Sequence, residues 1–148
     1  MFNEYMNKFY KIDDTQFPII KIKLEGNVTT KYLNEIFNIW LSFYKKEKNF
    51  YLLFDICDVN NPSIKNGFQL AKFIKKIKQK KPQYLKKSIL ILNNNYILRK
   101  IMSLVFKITP PAAPLFLYWK HEYEFNVCND TIQEIFETKN DKFQKILP

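Results

Sequence analysis

The chain has 148 residues, 47% of them hydrophobic and 17% aromatic, enough for one domain with a full core and too aromatic for a disordered segment. Its formal net charge of +10 is almost all lysine, with Arg99 the lone arginine; arginine's planar fork is the usual reader of phosphates and guanine edges, so the charge argues against specific nucleic-acid recognition. The most apolar stretch, Ile101 to Trp119, is broken by Lys107, Pro110, Pro111 and Pro114, which falls short of the roughly 18–20 apolar residues of a membrane span and excludes an integral membrane protein.

Along the chain, Tyr5 to Ile12 reads as a short edge strand, and Asp13-Asp14-Thr15-Gln16 as a turn closed by aspartate side chains. Phe17 to Leu24 alternates Ile20, Ile22 and Leu24 with Lys21 and Lys23, the period-2 pattern of a strand with one buried face, and it forms a hairpin with the first strand. After Glu25-Gly26-Asn27, Thr29 or Thr30 caps a helix running to Lys46, with Leu33, Ile36, Phe37, Trp40 and Tyr44 on one face. Phe50 to Ile56 is an apolar run of strand length that ends in Asp55, which suits a central strand covered on both faces.

Asn61 followed by Pro62 reads as a helix cap and first turn. This helix reaches about Lys80, burying Ile64, Phe68, Ala71, Ile74 and Ile77 and carrying Lys65, Lys72, Lys76 and Lys80 outside. Ser88 to Leu92 is a further strand, and a helix from Tyr96 to Lys107 presents Ile97, Ile101, Leu104 and Val105. Leu115 to Trp119 is the last strand, and Asp130 with Gln133 resembles a capping box for a closing helix to Glu137. The expected fold is a single α/β domain over residues 1–139 with the order β-β-α-β-α-β-α-β-α, a mostly parallel sheet, and a frayed tail over 140–148.

Three stretches carry a resemblance to the STAS domain, the fold of anti-sigma-factor antagonists and sulfate-transporter tails. They are Ile20 to Gly26 (IKIKLEG), Leu52 to Val59 (LLFDICDV), and Ile97 to Phe106 at the place of the family's third helix. The resemblance implies a non-catalytic domain that binds another protein. The chain departs from the family where phosphorylated members carry an Asp-Ser-Ser-Gly-like stretch. Residues 60–67 read NNPSIKNG, and Ser63 is the only hydroxyl there. A second segment, Lys81 to Lys87 followed by Ser88 to Asn93, is similar to the CRAL-TRIO lipid-binding domain, which implies a module that touches lipid; those carriers are normally much longer.

Enzymatic motifs are sparse. Two glycines, Gly26 and Gly67, write neither a dinucleotide fingerprint nor a phosphate-cradling loop. His121 is the only histidine and has no serine or cysteine beside it, which removes two-histidine metal sites and leaves it as a surface residue. Cys57 and Cys128 fit no metal spacing and read as buried reduced thiols. Asp55 and Asp58, at the carboxyl end of a central strand, are the one pair that could hold Mg²⁺ or share a proton. The alternative is that Asp55 bonds its own loop and Asp58 is solvated.

The N-terminus, Met1 to Tyr5, has no basic leader or long apolar stretch, so no signal peptide and a cytoplasmic location are expected. The leading expectation is a STAS-like regulatory domain with no catalytic residue, metal or cofactor. It would bind another protein, or a second copy of itself, through Asp58, Asn60, Asn61, Ser63, Lys65, Lys72 and Lys76. The alternatives are a CRAL-TRIO-like module meeting lipid or an anionic membrane surface through the lysine stripe, and a small Mg²⁺-dependent enzyme built on Asp55 and Asp58. That stripe has a bland reading as well, since an A/T-rich genome writes Lys, Asn, Ile, Phe and Tyr whatever the function, and a solvated polar face needs no partner.

Overall fold

In the computed structural model, which describes residues 4–7, 9–120 and 143–148, β1 (Glu4–Asn7) and β2 (Tyr10–Asp13) pair antiparallel. The single edge strand expected over residues 5–12 is therefore two strands. Asn7 pairs directly with Tyr10, so the chain reverses across a two-residue connection without the glycine or asparagine-glycine signal that usually marks one. β2 also pairs antiparallel with β3 (Ile19–Gly26), the expected hairpin, whose Ile20, Ile22 and Leu24 are buried as the alternation requires. Gly26 leaves this strand at φ 66°, a left-handed conformation that favours glycine.

From there strands and helices alternate. They run as α1 (Thr30–Tyr44), β4 (Phe50–Val59), α2 (Ile64–Lys78), β5 (Leu85–Asn93), α3 (Tyr96–Ile108) and β6 (Leu115–Lys120). Each new strand lies parallel to the last and directly beside it. β7 (Phe143–Ile146), in the stretch expected to fray, pairs antiparallel with β6. The result is a seven-stranded mixed sheet in strictly sequential order. The closing helix expected near residues 130–137, with His121 and Cys128, lies outside the described residues.

Because right-handed crossovers that always step the same way put their helices on the same side, the sheet has two unlike faces. On the helix side, Ile20, Ile22, Phe50, Leu52, Leu90, Leu92, Leu115 and Leu117 pack into clusters with all three helices. The other side carries a smaller buried cluster, Leu53, Cys57, Ile89, Ile91 and Tyr118, to which no helix contributes. Both faces of β4 thus carry buried apolar side chains, Phe50 and Leu52 on one and Leu53 and Cys57 on the other.

α1 follows its sequence pattern closely. Thr29 caps it by accepting a hydrogen bond from the Tyr32 amide, and Leu33, Ile36, Phe37, Trp40 and Tyr44 are buried. α2 and α3 present the expected faces in part: Ala71, Ile74 and Ile77, and Ile101 and Val105, are buried as expected, and their neighbours differ. Ser63, not Asn61, caps α2 through the Asn66 amide. Ile64 and Phe68 are exposed, while Gly67, Ala71, Phe73, Ile74 and Ile77 face inward. In α3, Leu98 and Met102 are buried with Ile101 and Val105, and Ile97 and Leu104 are exposed. Gly67 is the physical reason: a Cβ placed on it would meet the Ile101 and Val105 methyl groups at 2.8 and 3.2 Å. The two helices approach so closely there that the small side of α2, Gly67 and Ala71, is drawn into the layer, and the bulky flanking residues are turned out.

This crossing makes a clear expectation. Gly67→Ala gains about 1 kcal/mol of helix propensity but forces a methyl against two β-branched side chains, which costs roughly 1–3 kcal/mol. The net is a loss on the order of 1 kcal/mol, read as a lower urea midpoint at unchanged slope. A raised midpoint would show that the helices do not meet at Gly67.

Candidate functional site

The residues of the expected protein-binding loop divide into two groups. At the carboxyl edge of the sheet, the polar side chains are bonded to one another. Asn61 Nδ2 donates to Asn27 Oδ1 at 3.0 Å, Asn66 Nδ2 donates to the Val28 carbonyl at 2.9 Å, and Ser63 Oγ is the α2 cap. The Asn60 amide donates to the Gly26 carbonyl at 2.9 Å. Asn93 donates to the Cys57 carbonyl, and Asn95 caps α3 through the Ile97 and Leu98 amides. These groups tie neighbouring loops together.

Asp58 is half-exposed and paired with Lys23 at 3.2 Å, which also holds Glu25 at 3.2 Å. Asp55 shares the helix-free face with Leu53 and Cys57, and its Oδ1 accepts from the Cys57 amide at 3.0 Å. Among the described residues no three His, Cys, Asp or Glu side chains are grouped as metal ligands.

Lys65, Lys72 and Lys76, by contrast, stand exposed on the outer side of α2 with Lys75, and none has a carboxylate partner among the described residues. They belong to a larger feature. From Val59 to Lys120 the chain has thirteen basic residues and no aspartate or glutamate, whereas residues 1–58 carry eight of each sign. A nucleotide bias toward lysine would act along the whole chain and would not strip acids from one half. This signal was present in the sequence, and it is found by plotting acids along the chain instead of counting lysines.

The sequential strand order makes that stretch one contiguous half of the molecule: α2, β5, α3 and β6. Its outer surface also carries apolar side chains. Ile64 and Phe68 of α2, and Ile97, Leu104 and Ile108 of α3, are 39–58% exposed. Ile64 lies three residues before Gly67, and Ile97 and Leu104 lie four before and three after Ile101. By helical spacing all of them border the α2–α3 crossing, two on α2 and three on α3. Tyr96 adds an exposed ring beneath the Lys100 ammonium, 5.2 Å from its centroid. Arg99 turns aside from this crossing, stacked 4.1 Å over Trp119 with its Nε donating to Asn94 Oδ1 at 2.6 Å.

Beneath the helices, the side chains leave a cavity of about 150 Å³ against the sheet. Phe54 and Leu90 form its floor, and Trp40, Leu70, Ile74 and Met102 are among its walls. Asn61, Ser63 and Asn66 reach it at one end, and no charged side chain lines it. Asp55 and Asp58 are not part of it.

No family model, curated protein or solved structure matches this chain. Among the described residues no helix is long and apolar enough to cross a membrane.

The buried titratable groups set an alkaline limit on stability. Burial, reinforced by the Asp55 carboxylate, pushes the Cys57 thiol up to about 12. Burial and the Glu35 carboxylate beside it push Tyr10 to about 12, and burial raises Tyr44 against the opposing effect of the Trp40 indole. Each group holds its proton more tightly folded than unfolded, so its contribution is complete below its ordinary value of 9–10 and is lost as pH climbs toward the folded value. The melting temperature is therefore expected to fall between pH 8.5 and roughly 10.5. An unchanged value over that interval would mean these groups are not buried as described.

Proposed function

We propose that this chain is a non-catalytic module that docks on anionic membrane surfaces through the outer face of α2 and α3. The observation that carries the reading is the coincidence, on one face, of a lysine field with no acidic residue among the described residues of α2 and α3 and five exposed large aliphatic or aromatic side chains. That combination is the chemistry of interfacial binding: the lysines meet acidic headgroups at about 1 kcal/mol each, while apolar side chains enter the headgroup–acyl boundary.

Other occupants fit less well. A symmetric dimer through this face would set each lysine field against its own copy, a like-charge juxtaposition that no acidic side chain of α2 or α3 relieves. Single-stranded RNA is held by stacked aromatics and arginine; this face offers mostly Ile and Leu, and Arg99 is engaged elsewhere. The cavity is the size of a ring, far below a two-chain phospholipid, so the reading is of a surface binder and not a lipid carrier.

The opening antiparallel strands followed by three strand–helix turns support a STAS-like placement of the fold. They do not extend to a serine switch, because the Ser63 hydroxyl is taken up by the α2 cap.

Co-sedimentation with vesicles tests the proposal. Binding is expected to vesicles containing phosphatidylserine and to vanish for pure phosphatidylcholine, and to weaken as salt rises. Lys72→Gln and Lys76→Gln should each cost roughly fivefold in the partition coefficient, and Phe68→Ala should weaken binding without altering its salt dependence. No sedimentation with anionic vesicles at low salt would overturn the proposal, as would binding that ignores headgroup charge. Capture of an acidic protein in preference to vesicles would transfer the same surface to a protein partner.

A further inference from the structure

We infer that the cavity between the helix layer and the sheet is a binding site for a small neutral apolar molecule, about the size of one aromatic ring or a short branched alkyl chain. This inference is independent of the membrane surface, which lies on the opposite side of α2 and α3.

Protein interiors are close-packed, and few voids exceed a water molecule. A cavity near 150 Å³ is therefore a feature that needs a cause, since empty space left in a core is destabilising in proportion to its volume. Here the cause is visible in the packing. Phe37 of α1 stacks on Phe73 of α2 with centroids 4.1 Å apart and planes 4° from parallel, and Trp40 meets Phe73 edge-on at 5.0 Å. These rigid rings brace α1 against α2. On the other flank, Gly67 brings α2 against α3. With both neighbours fixed, α2 cannot settle further onto Phe54 and Leu90, and the space beneath it is preserved.

The chemistry of the lining decides the ligand. Water needs two to four polar partners to enter a cavity; away from the Asn61–Asn66 end, only Ser88 and Trp40, whose indole N–H has no partner among the described residues, carry a polar side-chain atom on this lining. A charged molecule would be desolvated against Phe54, Leu70, Ile74 and Leu90 with no counter-ion on the wall. A neutral apolar body loses nothing on entry and fills the space. Asn61, Ser63 and Asn66 at one end can accommodate a single neutral polar substituent. Their hydrogen bonds to Asn27 and Val28 link the loop before α1 to the loop before α2 across that end.

The test uses the intact protein with benzene as the neutral probe and benzoate as its charged counterpart, read by methyl NMR. Saturable shifts are expected at Leu70, Ile74, Leu98 and Met102 with benzene and none with benzoate. Ala112→Leu extends a side chain from the cavity lining into this space and should weaken benzene by at least about tenfold. Three outcomes would overturn the inference: shifts that never saturate, shifts confined to the exposed Ile64, Ile97 and Leu104, or undiminished binding to folded Ala112→Leu protein. Should that variant not fold, the methyl map of the unaltered protein decides by itself. In Trp119→Phe protein, where Trp40 is the only indole left, its emission should change on the same saturation curve.

Discussion

Every crossover in this chain advances the sheet by one strand in the same direction, and the rest of the structure follows from that constraint. It places α1, α2 and α3 on one face. It also maps sequence onto space without shuffling, so that neighbouring segments become neighbouring slabs. A charge asymmetry written along the chain then becomes an asymmetry across the molecule. In a sheet whose strand order doubled back, the acid-free stretch from Val59 to Lys120 would have been split around the acid-bearing β3 and α1. Here it is a single half.

The second determinant is the contact at Gly67. Burying a side chain such as Ile or Phe is worth roughly 1.5–3 kcal/mol, so folding alone favours turning Ile64 and Phe68 inward. The approach of α2 to Ile101 and Val105 turns Gly67 and Ala71 toward α3 and leaves Ile64 and Phe68 outside. The same approach holds α2 above the sheet. One glycine thus underlies both the apolar ridge on the outer surface and the cavity below it.

Much of the architecture was legible in the residues. Ile20, Ile22 and Leu24 announced β3 by strict alternation, and α1 showed its buried face at helical spacing because no close helix crossing competes with its amphipathic stripe. The strands β4, β5 and β6 were readable as short apolar runs between turn residues. What escaped was tertiary. The facing of α2 depends on Gly67 meeting Ile101 thirty-four positions away, and a glycine within a helix carries no mark of which neighbour it admits. β7 is a short polar-apolar segment made a strand by the free edge of β6. The candidate site was half legible: Lys65, Lys72 and Lys76 were singled out correctly as exposed, but Ile64, Phe68, Ile97 and Leu104 were assigned to the core, which hid the apolar half of the surface.

The central claim is that the α2–α3 face, and no other, meets the bilayer. Paramagnetic broadening of amide signals by anionic vesicles doped with a spin-labelled lipid reads this directly. Broadening should concentrate at Ile64, Phe68, Ile97, Leu104 and Ile108 and spare β2, β3 and α1. Broadening centred on the β1–β3 side, or spread evenly over the molecule, would contradict it.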